Sequence, residues 1–126
     1  MAEANLYAAW TGVLLGFVTG TISGFFFFRE DWLGGYASWP RRMIRLGHIS
    51  FFGLAFINFA FVFTVAFLDL PSVSSLASWL FILGAATMPL VCYLSAFKHG
   101  FRRLFFIPVV SLIVAATVFI VKDLIR

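Results

Sequence analysis

The stretch Ala8-Ala9-Trp10-Thr11-Gly12-Val13-Leu14-Leu15-Gly16-Phe17-Val18-Thr19-Gly20-Thr21-Ile22-Ser23-Gly24 returns a small residue at every fourth position and contains no charge. On an α-helix, residues four apart lie nearly above one another. Ala8, Gly12, Gly16, Gly20 and Gly24 therefore form one groove free of large side chains. In water each interior glycine would cost about 1 kcal/mol relative to alanine, and such a helix would be poorly formed. In a bilayer, where lipid is as apolar as leucine, the same stripe is a helix-packing face.

The rest of the chain reads the same way. Of its 126 residues 63% are hydrophobic and 11% charged, against about 25% charged in a soluble domain. The charges gather in short clusters. They leave uncharged runs at Leu6–Phe28, Leu46–Leu68, Leu70–Phe97 and Leu104–Val121, each near or above the ~18–20 residues that cross ~30 Å of hydrocarbon as a helix. Membrane strands would need strict alternation, which these runs lack. The expectation is an all-α integral membrane protein, a single domain over 1–126. Four antiparallel transmembrane helices at about 5–28, 41–68, 75–98 and 102–125 would form an up-down-up-down bundle.

The lone Cys92 excludes an internal disulfide or a cysteine-rich metal site. The start, Met1-Ala2-Glu3-Ala4-Asn5, has no basic residue and does not read as a cleavable signal, so the first helix is expected to remain. A net charge of +4 and pI near 9.9 could suggest nucleic acid in a soluble chain. Here no basic–aromatic nucleic-acid surface is present, and basic flanks of membrane helices account for the charge. Seven of the nine Lys and Arg residues lie in two places: Arg29, Arg41, Arg42 and Arg45, then Lys98, Arg102 and Arg103. The positive-inside rule makes both loops cytoplasmic and both termini non-cytoplasmic, in a multi-pass protein of bacterial inner-membrane type. Lipid is its first partner.

Local signals divide the helices. Trp32, Tyr36 and Trp39 are spaced to show their rings to the headgroup region, and Gly34-Gly35 interrupts that turn. Pro40 suits the first turn of helix two. Asp69-Leu70-Pro71-Ser72 predicts a tight turn, with Ser74 or Ser75 capping helix three. Pro89 and Pro108 are expected to free the carbonyls of Ala85 and Leu104 and to bend helices three and four.

Five features are candidate sites. Gly12, Gly16, Gly20 and Gly24 form a packing face for this chain or another. His48 and His99 fall at the same end, as two helix-borne imidazoles would to ligate a b-type haem. Arg45 and Arg102, with Arg41 and Arg103, are then propionate partners, and haem iron is the only metal the pair could hold. Asn58, placed near the bilayer midplane, needs an interhelical partner. The two prolines could open a ligand pocket, and the arginines could hold anionic headgroups.

No Ser/His/Asp set, paired carboxylate or phosphate-binding glycine loop is present, so no enzyme class is supported. The leading expectation is a small non-catalytic subunit that packs through the glycine-ladder helix into a homo-oligomer or a larger membrane complex, such as a respiratory one. The alternative is a b-type haem protein of membrane electron transfer using His48 and His99. A small channel or transporter ranks third, because the helix interiors carry no acid or base.

Overall fold

The computed structural model describes residues 2–125, and it is all-helical. The helices are α1 (Ala2–Phe27), α2 (Trp39–Phe67), α3 (Ser75–Phe97) and α4 (Phe106–Val118). A 3₁₀ segment, His99–Phe105, leads into α4, and a π-helical turn, Phe119–Leu124, ends it. Four spans, the last running His99–Leu124, are long and apolar enough to cross a membrane. Their exposed surface is a coat of large apolar side chains, from Tyr7 and Trp10 on α1 to Ile113 and Val121 on the last span. The chain is a multi-pass integral membrane protein.

The helices run up and down, but α1 and α4 share no sizeable interface. α2 and α3 form a central pair. α1 lies against α2 and, over a smaller area, α3, while α4 packs mainly on α3. An aromatic cluster fixes the far flank: Phe61 of α2 meets Phe119 at 4.9 Å and Phe81 of α3 at 5.3 Å, with Ala77 and Ala115 filling between them.

Close helix approach is not confined to the ladder. A Cβ on Gly47 would come within 2.8 Å of the Tyr93 ring, and one on Gly84 within 2.5 Å of Leu112. The α1–α2, α2–α3 and α3–α4 pairs therefore each own at least one glycine into which a large side chain is set, the contact that drives packing in lipid.

A polar lock ties three helices together. The amide of Asn5 donates to Asn58 Oδ1 (2.8 Å) and to the Ser78 carbonyl (3.1 Å), while the Ser78 hydroxyl donates to Asn5 Oδ1. Asn58 Nδ2 in turn donates to the carbonyl of Leu54 at 2.9 Å. Asn5 and Ser78 lie in the first turns of α1 and α3, so Asn58 sits toward the end that carries the termini and not at the midplane. An amide that must be satisfied in hydrocarbon goes where a second polar residue can reach it.

The helix ends depart from expectation in instructive ways. Ser74 is the N-cap of α3, but neither serine hydroxyl closes the end. Instead the carboxylate of Asp123 accepts from Ser74 N–H, both oxygens at 3.3 Å, so a residue beyond α4 caps α3. The fourth span does not begin as an α-helix at 102, because its first residues are 3₁₀. Pro108 then falls within the first turn of α4, where an N–H has no intrahelical acceptor anyway, and it breaks nothing. Asp69 adopts φ +48°, and Leu70 N–H reaches back to Val65 O at 3.1 Å, a Schellman stop that ends α2. Positive φ at Leu33, Gly34 and Gly35 closes the first loop.

Candidate functional site

The basic end is built from the C-terminus of α1, the first loop, the first turns of α2 and the segment after α3. α1 ends at Phe27 with no basic residue in its last turn, so its final carbonyls need donors from elsewhere. Arg41 supplies them. Its Nη2 donates to Phe27 O at 3.1 Å and its Nη1 to Arg29 O at 3.1 Å and Glu30 O at 3.4 Å. The guanidinium lies 5.1 to 5.7 Å from the rings of Phe27, Trp32 and Tyr36 and is 2% exposed. A delocalised cation held by three carbonyls and a wall of π-faces, with Nε alone left without an acceptor, is a stable way to bury this charge beside a helix C-terminus. Arg41 is thus a structural cap, not a free headgroup or propionate ligand.

The neighbouring cations are less committed. Arg45 lies with its guanidinium 4.0 Å from the Tyr36 ring centroid, and its Nη1 is enclosed without an acceptor. Arg42 covers the ring of Trp39, whose indole N–H donates to Ser95 O at 2.7 Å and ties α2 to α3. Arg102 and Arg103 stand exposed in the 3₁₀ segment.

The two histidines are placed apart. His48 lies against α1, where a Cβ on Gly20 would overlap the imidazole, and it meets the Phe52 ring edge-on at 5.4 Å. His99 is exposed and rests on Trp39 with ring centroids 4.5 Å apart. Trp39 and His48 are nine residues apart on α2, two and a half turns, so they leave opposite faces and are separated by ~13 Å along the axis. No plane between facing helices carries both imidazoles, so the pair does not make the axial couple a b-type haem needs. Among the described residues no other cluster of His, Cys, Asp or Glu could hold a metal ion.

The ladder is largely filled by its own chain. A Cβ on Gly12 would lie 3.1 Å from Phe51 O, one on Gly16 2.7 Å from the Phe52 ring, and Gly20 faces His48. Gly24 faces open space. Sequence reasoning had no means to choose α2 over α3 as the receiver, although His48, Phe51, Phe52 and Ala55 do form one helical stripe.

Beside the ladder an apolar cleft of about 450 Å³ opens between α1 and α3. Ala8 and Gly12 wall one side, Ala85 and Ala86 the other, with Phe51 as floor and Tyr93 at one end. Pro89 lines it and is fully buried. The proline thus borders a real cavity, but one whose lining is almost wholly apolar.

Fold and site together define a polytopic all-α membrane protein. Comparison with protein-family models, with curated proteins and with solved structures returns no match for this chain.

Proposed function

We propose that the chain is a non-catalytic subunit of a membrane assembly, and that its docking face is the cleft between α1 and α3. The observation that carries this reading is the cleft's lining. Small residues from both helices, Ala8, Gly12, Ala85 and Ala86, border a lipid-facing opening that no side chain of the described residues fills. Such a surface accepts the large side chains of another transmembrane helix at close range, and packing is the principal force between helices in lipid. α1 supports the same reading: its span has the smallest share of residues buried within the chain, 11% against 22–39% for the others.

This moves the contact by one face from where the ladder first suggested it. Gly12 serves both surfaces, whereas Gly16 and Gly20 are occupied by Phe52 and His48. The partner is a transmembrane helix of a second copy or of another subunit. The basic end, with seven of nine cations, is its cytoplasmic side by the positive-inside rule. The haem reading gains nothing from the separated histidines, and a conduction pathway gains nothing from helices whose acids all lie near their ends.

Ala86→Phe fills the cleft from an exposed position without touching the α1–α2 contact. The wild-type chain in mild detergent is expected to run as an oligomer or with a partner, and the variant as the single chain. A wild-type monomer with an unchanged variant would refute the proposal.

A further inference from the structure

Three residues of α2 fall on one stripe descending from the basic end: Arg45, His48 and Phe52, at i, i+3 and i+7. With 1.5 Å rise per residue, His48 lies about 4.5 Å and Phe52 about 10.5 Å deeper than Arg45. Each of the two polar residues has unspent hydrogen-bonding capacity. Arg45 Nη1 is enclosed with no acceptor, and the guanidinium rests on Tyr36, itself 70% exposed. The acids nearest in sequence to Tyr36, Glu30 and Asp31, are exposed in the loop. Among the described residues no acceptor reaches Arg45 Nη1.

His48 Nδ1 is likewise enclosed without a partner. Leaving a lone pair unused costs less than leaving an N–H unused, so Nδ1 is the bare nitrogen and Nε2 carries the N–H. That N–H is the imidazole's free donor at a shallow groove of about 340 Å³, bordered by Gly16, Phe17, Gly20, Thr21 and Phe52. The rings of Phe52 and His48 cover Gly16 and Gly20, so the groove runs beside them, with Phe17 and Thr21 of α1 on its other side.

From the surface inward, the stripe thus offers a cation, then one neutral donor, then an apolar trough. A phospholipid presents its groups in the same order: phosphate, ester carbonyl, acyl chain. We infer that this face of α1 and α2 binds one anionic phospholipid. Its phosphate pairs with Arg45, an ester carbonyl accepts from His48 Nε2–H, and the first methylenes lie along Phe17 and Phe52. The Arg45 cation favours an anionic headgroup over a zwitterionic one. This site lies on the opposite side of α2 from Trp39, and it does not depend on the cleft between α1 and α3.

The test is retention of lipid by the full-length chain, read by native mass spectrometry after exchange into detergent with equal phosphatidylglycerol and phosphatidylcholine. Wild-type protein is expected to retain one phosphatidylglycerol in preference. Arg45→Gln and His48→Phe should each weaken that retention, Arg45→Gln by about tenfold or more. Arg103→Gln, in the exposed segment after α3, should leave it unchanged. Thermal melting checks the fold: all variants should melt alike in phosphatidylcholine, and only wild type and Arg103→Gln should gain on adding phosphatidylglycerol. Equal retention of the two lipids, or equal losses for Arg45→Gln and Arg103→Gln, would overturn the site. Stabilisation by inorganic phosphate alone to the same extent would overturn the lipid as its occupant.

Discussion

Gly20 of α1 and His48 of α2 share one volume: a Cβ on the glycine would overlap the imidazole. The ladder is therefore not uniform, and its rungs carry different costs. Gly20→Leu is expected to destabilise the fold by about 1–3 kcal/mol through overpacking. Gly24→Leu, which meets nothing within 4 Å, should be close to neutral. In a double-mutant cycle, His48→Ala should recover part of the Gly20→Leu loss. Thermal melting in detergent reads all three, and equal losses for Gly20→Leu and Gly24→Leu would contradict the assigned packing.

The Asn5–Asn58–Ser78 lock predicts strong non-additivity. Asn58→Leu alone takes from the buried Asn5 amide the Oδ1 it donates to, while Ser78 keeps its bonds to Asn5, at a cost of about 1–3 kcal/mol. Asn5→Leu with Asn58→Leu should cost less than the sum of the two singles, since the second change removes the group that the first orphaned. Additive losses would mean that the network is not one unit.

Arg41 should resist even its conservative replacement. Arg41→Lys keeps the charge but cannot reach the carbonyls of Phe27, Arg29 and Glu30 with one planar fork. We expect a loss of about 2 kcal/mol or more, against a negligible change for the exposed Arg103→Lys. Near-equal melting of the two variants would remove Arg41 from its capping role.

The separation of His48 from His99 predicts no bis-histidine haem. After expression with haem supplied, the visible spectrum of the purified protein should lack a Soret band that depends on both residues. A band abolished by His48→Ala and by His99→Ala alike would restore the electron-transfer reading.

The uncharged runs made four spans legible from the sequence, and the helix bounds fall within a few residues of those expected for the first three. The fourth differs because 3₁₀ backbone at His99–Phe105 leaves no periodic signature of its own. Pattern also marked the ladder as a packing face, but not its receiver, because stripes on α2 and α3 are both apolar with small residues. The lock was half visible: Asn58 asked for a partner, yet Asn5 was read only as the first residue of helix one. Arg41 was read among the free cations. The clue to its capping role was α1 itself, which ends in phenylalanines with neither glycine nor a basic last turn to satisfy its carbonyls. Asp123 capping α3 depends on tertiary geometry alone.

The proposed docking sets another transmembrane helix into the cleft between α1 and α3. The most direct measurement is the mass of the protein–detergent complex for wild type and for Ala86→Phe under the same mild conditions. A wild-type mass above that of one chain, falling to one chain in Ala86→Phe with melting unchanged, is the predicted result. One chain in both would contradict it.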